Sequence, residues 1–548
     1  MCRIGSTIRA VGWTICLLGC VVSGNDADAT LENAAPPCVC RQSGRAAFSS
    51  PTPSSSTEDG TVTIRISREP ASLISLVEGD PLVSNIMDHT VLEPLVRLTE
   101  DGESVEPELA ERFEVDQSAN RYIFYLNENA RWHDGSPVTA SDVHFVFSKL
   151  IDPYSTLEAN SVFANIKEIT TPNESTVIFE LDHFLPSFLN AVASVPILPA
   201  HIFGRTSIAL HEAARAPIGS GPFRFVRWIP SRLIELERNP DWRGTPPKIN
   251  TLIYHIVPDN RIAMDMLRKG ELDIVPNLPV TTETVHDKAF VITYPLPFFE
   301  AWVYNLRRPF LAEAASRHAL AKLIDKKNIQ CSLLECLADL PEEILAGDTI
   351  HEAIFPTMSF DPEGARQLLE SSGWSDSNGD GILDRDGVPF SFSLLLPNLG
   401  KTQERAAVVI QEDMARVGID MRISTVSRGA FFGRLVASRF DVAALAVRFR
   451  GHFDSWSLFH TPKGATGNFG GFSDRRVDAL LERLRTENDS DARNELISTL
   501  RTLLNRLQPM TFTFRPFASA LYREEIGGVV FKEGWIDALP LFIKRGNR

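Results

Sequence analysis

From Thr61 onward, alternation of apolar and polar residues marks the body of the chain as rich in strands. Thr61-Val-Thr-Ile-Arg-Ile66 alternates and carries β-branched side chains, the pattern of a half-buried strand. The runs 122–126, 176–181 and 233–237 repeat that pattern. Helical periods lie between them. Asp361 is placed to cap a helix that has Pro362 in its first turn and stops at Gly373, with Ala365, Leu368 and Leu369 on one face. Val477, Leu480, Leu481 and Leu484 follow the i, i+3, i+4, i+7 spacing of another helix. One unit is legible from end to end. Residues 390–396 read as a buried strand, 402–417 as an amphipathic helix stopped by Gly418, and 419–426 as the next strand. Strand, helix and strand at this spacing predict a parallel pair joined by a right-handed crossover. Residues 440–447 supply a further strand, so the body is α/β with mixed sheets, in more than one lobe.

The N-terminus follows a different pattern. Arg3 and Arg9 precede a short apolar stretch, Ala10 to Gly19, too brief to span a bilayer of about 30 Å as a helix. The ending Leu17-Leu-Gly-Cys20 resembles the lipobox of bacterial lipoproteins. That resemblance implies a signal peptide over 1–19 and a lipid on Cys20; an ordinary secretory signal with an incidental cysteine is the alternative. Residues 20–60 are rich in Ser, Pro, Thr, Asn and Asp, and read as a flexible tether that cannot bury enough apolar area to order itself.

Composition narrows the function. The chain has 548 residues, 43% of them apolar, and a formal net charge of −15. So acidic a surface has no general attraction for phosphate backbones, which argues against nucleic acid as a partner. No nucleophile elbow, zinc-protease motif or phosphate loop occurs, and His133, His144, His201, His211 and His452 are scattered. The expected class is therefore not an enzyme, with a hydrolase as the less favoured reading. Beyond Cys20 the cysteines expected to remain in an exported chain are Cys38, Cys40, Cys331 and Cys336. Cys331 and Cys336 are the favoured disulfide, provided no continuous helix holds them on diverging faces; free thiols or a zinc site are alternatives. Asp376, Asn378 and Asp380 followed by Gly381 resemble the opening of a calcium loop, with Asp384 as a further oxygen donor. Gly387 stands where such a loop needs its bidentate Glu, and a solvated turn is the competing reading.

Several blocks in order along the body point to a family. They are Ala130-Arg-Trp-His-Asp-Gly-Ser-Pro-Val-Thr-Ala-Ser-Asp-Val143, Gly219-Ser-Gly-Pro-Phe-Arg-Phe-Val-Arg-Trp228, Glu237-Arg-Asn-Pro-Asp-Trp242, Asn305-Leu-Arg-Arg-Pro-Phe310 with 317–325, and Asn468-Phe-Gly-Gly-Phe-Ser473. Together they resemble the family 5 extracellular solute-binding proteins, the dipeptide, oligopeptide and nickel receptors of ABC importers. The resemblance implies a two-lobed periplasmic-binding-protein fold of the class II, cluster C-like type. Lobe I would comprise 61–87, 205–297 and 515–548 with an inserted part at 88–204. Lobe II would be 298–514, and the crossings near 298 and 514 would form a hinge. It further implies a monomeric receptor with no required cofactor, a structural calcium in the Asp-rich loop staying open as an alternative, handing a peptide or peptide-like solute to a permease and ATPase complex. Its place would be the bacterial cell envelope, touching the membrane only through the lipid. A chaperone or adhesin on the same fold is the alternative. The Trp132–Gly135 turn and the Asp142 region read as scaffold rather than ligand site. Where the family's peptide receptors carry a tryptophan and an acid for the ligand ammonium, this chain has Val447, Arg448 and Arg450, then Asp454 and Trp456. Arginine at that place suits a carboxylate or another anionic group.

Overall fold

The computed structural model describes residues 56–57, 60–78, 81–99, 104–152, 161–185, 187–204, 207–278, 289–296, 298–334, 337–341, 358–398, 401–448, 455–461, 467–487, 489–532 and 535–544. The signal segment, Cys20, most of the expected tether, Cys38, Cys40, Cys336, Arg450 and Asp454 lie outside them. Ser56–Thr57, inside the expected tether, pairs with Ile543 and Lys544 near the opposite end of the chain.

In chain order, the body opens with β1 (Thr61–Ile66). An antiparallel four-stranded sheet follows, built from β2 (Ala110–Asp116), β3 (Arg121–Leu126), β4 (Ile166–Asn173) and β5 (Thr176–Leu181), with α1 (Ala140–Ile151) between β3 and β4. Then come β6 (Phe223–Ile229), β7 (Leu233–Arg238), β8 (Thr251–Ile256), β9 (Ile274–Leu278), β10 (Ala289–Pro295) and β11 (Phe298–Tyr304). The next segments of interest are β12 (Ala338–Asp339), α2 (Pro362–Ser371), β13 (Ser391–Pro397), α3 (Lys401–Arg416), β14 (Asp420–Val426) and β15 (Val442–Arg448). The last are α4 (Ser455–Phe459), α5 (Arg475–Thr486), α6 (Ser490–Leu507) and the 14-residue β16 (Met510–Arg523).

The predicted elements at 61–66, 122–126, 176–181 and 233–237 form to within a residue or two. Asp361 caps α2 by accepting from the Gly364 N–H at 2.9 Å. Gly418 takes φ +86° after α3, a conformation L side chains avoid, so the helix stops and the chain turns into β14. β13 and β14 pair in parallel over seven residue pairs, as the strand–helix–strand reading requires.

A mixed 12-stranded sheet runs in the order β14-β13-β15-β11-β16-β9-β1-β8-β7-β6, with β10 and β12 also pairing with β16. β16 ties its two ends together. Its first residues pair with β11 and its last with β9 and β10. The buried apolar side chains divide at this place. Three clusters draw only on 62–294 and 518–541, and two draw only on 299–514. The four-stranded sheet shares its cluster with β1, β7 and β8 rather than having a core of its own. Between the two sets the chain crosses twice, side by side. The Leu296 N–H donates to the Pro516 carbonyl at 2.9 Å, and Arg515 Nε donates to the Leu296 carbonyl at 2.9 Å. β12 flanks the same crossing through Pro516 and Arg515.

Candidate functional site

The sequence blocks turn out to be structural. Asp142, buried in the first turn of α1, accepts from the Thr139 N–H at 2.8 Å, the Ala200 N–H at 2.8 Å, the Thr139 hydroxyl at 3.1 Å and Trp132 Nε1 at 3.3 Å. That is a capping box that also fastens a neighbouring helix start. Asp134 instead bonds the Ser136 N–H and His201 Nε2. The two acids thus serve different scaffolds. His133 accepts from the Gly219 N–H and donates to the Gly221 carbonyl, and burial pushes its imidazole down to about 4, so it is a neutral linker. Gly219 is required there because a Cβ would stand 1.7 Å from the Val91 carbonyl oxygen. Asn305 binds the Ser438 and Phe440 carbonyls. Buried Arg317 spends its guanidinium on the carbonyls of Leu311, Ala312, Leu507 and Gln508. Asn468 ties His460 to Phe472.

The ends of the strands offer different chemistry. In open α/β sheets a ligand crevice lies beyond the carboxyl ends of the parallel strands. In the half that holds 298–514 these are β13, β14 and β15, and the end of β15 lies next to the double crossing, opposite the start of β11. Arg448 is the last residue of β15, opposite Phe298, with Ala446 opposite Glu300. Trp456 lies in the first turn of α4. It stacks on His460 with ring centroids 3.7 Å apart and holds the Arg485 guanidinium 3.9 Å above its ring, packing partly into the cluster of α5 and α6.

Glu300 is a buried acid near the crossing that motif reading missed. It is 8% exposed, and Gln403 Nε2 in the first turn of α3 donates to its Oε1 at 2.6 Å. Its Oε2 and the Gln403 Oε1 are buried without a partner. A buried polar atom left unmet costs about 1–3 kcal/mol, so two on one contact call for a reason. Burial pushes the Glu300 carboxyl up to about 7, against a smaller opposing effect of the Gln403 bond. The available signal was an acid inside the apolar run Phe298-Phe-Glu-Ala-Trp-Val-Tyr304.

In the Asp-rich loop, Asp376 accepts from the N–H groups of Gly379, Asp380 and Gly381, Asn378 Oδ1 from Asp380, Asp380 Oδ1 from Ile382, and Asp384 from Ser377. The oxygens face the loop's own donors. Among the described residues no three His, Cys, Asp or Glu side chains gather as metal ligands, and no helix is long and apolar enough to cross a membrane. Cys331 is disulfide-bonded. Its helix is Lys326–Ser332, and Cys336, the partner expected from the sequence, lies outside the described residues.

The model for bacterial extracellular solute-binding proteins, family 5 (middle), matches residues 104–469. The chain is 28% identical to the oligopeptide-binding protein AppA of Bacillus subtilis over 462 residues, 82% of this chain and 84% of that protein. The structure of AppA from Bacillus subtilis in complex with a nonapeptide superposes with a TM-score of 0.77 at 25% identity, over 90% of this chain and 100% of that one. A putative ABC transporter peptide-binding protein of Brucella ovis is 32% identical over 303 residues, 53% of this chain and 56% of that protein. NikZ of Campylobacter jejuni, solved with Ni(L-His), shares the fold with a TM-score of 0.74 at 22% identity, over 86% of this chain and 95% of that one.

Proposed function

The chain belongs to the bacterial extracellular solute-binding proteins, family 5, and from that premise we propose that it captures a peptide or peptide-like solute and delivers it to an ABC permease. The observation that carries this reading is the likeness to AppA, which extends over most of both chains and is shared by a structure holding a nonapeptide. The division of the buried clusters at the double crossing supports a lobe I of 61–297 with 515–548, and a lobe II of 298–514. A solute that touches both lobes only when they are shut shifts the equilibrium toward closure by its differential affinity. Capture needs no bond to be made or broken, so the receptor is read as a binder rather than an enzyme.

Two finer features belong to the same proposal. Arg448 and Arg450, at and beyond the end of β15, give the site an anionic preference, met by a ligand carboxylate through paired guanidinium bonds. A diacylglycerol on Cys20 holds the receptor at a membrane of the cell envelope, in the periplasm or at the cell surface. Native mass spectrometry of the protein as purified, followed by calorimetry with the peptides it releases, tests the function. Retained peptides in the mass range of the complex are expected, and a retained non-peptide solute sinks the peptide reading. Arg450→Asp is expected to lower affinity for acidic peptides by about tenfold or more, and unchanged selection removes the anionic preference. Growth with labelled palmitate tests the lipid, and a Cys20→Ser chain that still takes up label removes the anchor.

A further inference from the structure

The two chain crossings are short of backbone donors. In the sequence Leu296 lies between Pro295 and Pro297, and the second crossing carries Pro516, so three residues there have no N–H. Pairing of the first crossing with β16 stops at Pro295–Phe517 and resumes at Glu300–Phe514, which leaves 296–299 facing only 515 and 516. Burial along β16 changes at the same place. Phe514 and Ala518 are buried, whereas Arg515, Pro516 and Phe517 between them are half-buried. A thinly bonded, half-buried stretch between two buried and paired ones is where such a strand gives way first.

Arg515 makes good one missing donor. In a bonded antiparallel pair the two residues exchange N–H to C=O bonds in both directions. Leu296 and Pro516 continue the register of Pro295 and Phe517 by one pair, and the Leu296 N–H donates to the Pro516 carbonyl at 2.9 Å. Pro516 has no N–H to return. Arg515 Nε takes that role and donates to the Leu296 carbonyl at 2.9 Å. On the other edge of β16 lies β12. There the Phe517 N–H donates to the Leu337 carbonyl at 3.0 Å, and Asp339, opposite Arg515, brings its carboxylate to 4.0 Å from Arg515 Nη1. Gln330 Nε2 holds the Ala338 carbonyl at 2.8 Å, and Ala338 and Leu340 pack in a cluster of the 299–514 set. One guanidinium therefore reaches both neighbours of the second crossing. Its stem turns about several single bonds, so its contact survives a twist of one crossing against the other that a backbone pair would not.

We propose, on the basis of the peptide-capture reading, that Arg515 is a positioning residue of the hinge: its side chain replaces the donor that Pro516 lacks and keeps the two crossings in register while the halves close on a solute. Without that donor the ligand-free crossings sample more conformations, and closure has to order them, which weakens binding. The probes are alanyl peptides of about three to nine residues. Affinity is read by calorimetry, local order by hydrogen exchange, and far-ultraviolet melts confirm that each variant folds. Arg515→Met, which keeps an unbranched stem without the donor, is expected to lose about tenfold in affinity. Protection of the Leu296 and Phe517 amides is expected to fall by about the same factor, with the amides of β13 and β14 unchanged. Arg515→Lys, which still donates, keeps both within about threefold. Adding Pro516→Ala to Arg515→Met returns a backbone N–H to the place the guanidinium filled, and is expected to restore both to within about threefold of the wild type. A residue that served only general stability would lower protection in every strand and would not be rescued by its neighbour. The role is overturned if Arg515→Met binds as the wild type does, or if its loss is not restored by Pro516→Ala. A wild type that binds none of the peptides removes the capture reading, and the hinge role falls with it. Binding by the wild type with an unchanged Arg515→Met removes the role of Arg515 alone.

Discussion

Single polar side chains, each buried and with several bonds, hold much of this protein in place. Asp142 is the clearest, with four donors from three segments. Asp142→Ala leaves two backbone N–H groups and an indole without their acceptor. It is expected to destabilise the protein by about 3 kcal/mol, measured as a shift of the urea midpoint at constant slope. Glu108 gives a pH-dependent counterpart. Burial first, and the neighbouring Glu93 second, push its carboxyl up to about 7, while Arg97 opposes them. Arg243 clamps Glu93 through two bonds near 2.9 Å and also donates to the Glu108 carbonyl. The sign follows from proton binding. Between roughly pH 4.5 and 7 the folded chain keeps a proton that the unfolded chain has released, so stability falls as pH rises through that window. Glu300 adds to the same trend. Relative to Glu108→Gln, which is neutral throughout, the wild-type melting temperature is expected to drop between about pH 5 and pH 7.5. Parallel curves for the two proteins would show that Glu108 is ionised in the fold.

Among the elements, those that end on a glycine or open on a capping aspartate were readable from the chain, because both signals are local. The α2 cap at Asp361 and the αL stop at Gly418 stand where the residue types placed them. The strand runs at 61–66 and 176–181 were legible for the same reason, since a period of two needs only near neighbours. The Asp-rich loop shows where local reading divides. Its residue types fit both a cation loop and an Asx-turn hairpin, and its carboxylates bond the loop's own N–H groups. Because those carboxylates already accept from the loop's own N–H groups, titration calorimetry with calcium is expected to give no heat. A stoichiometric exotherm would restore the cation reading. Trp456 shows the opposite limit. Its place in the sequence put it beside the candidate ligand arginines, and only the packing of α4 on α5 shows that it stacks on His460 and under Arg485.

Across the whole molecule, the long strand β16 organises the two sets of buried clusters. It pairs with β11 through its first residues and with β9 and β10 through its last. A solute that binds the folded receptor and not the unfolded chain stabilises it by mass action. At a free concentration of 100 times its Kd, a captured peptide is expected to raise the unfolding free energy by about 2.7 kcal/mol. Denaturant curves with and without the released ligand check this. A bound ligand that leaves stability unchanged at that saturation would have equal affinity for the unfolded chain, contrary to a site assembled by folding.

The amino-acid sequence alone determined the α/β class, most strand and helix positions and the family blocks, because each rests on spacing within one short segment. The residues that lie nearest the candidate crevice were decided by tertiary structure. Glu300 and Gln403 are 103 residues apart and meet only because α3 covers the face of β11. Leu296 and Arg515 are 219 apart and meet only because the two crossings run side by side. Whether a polar atom is buried and unmet depends on every element packed around it, and periodicity along one element carries no record of that.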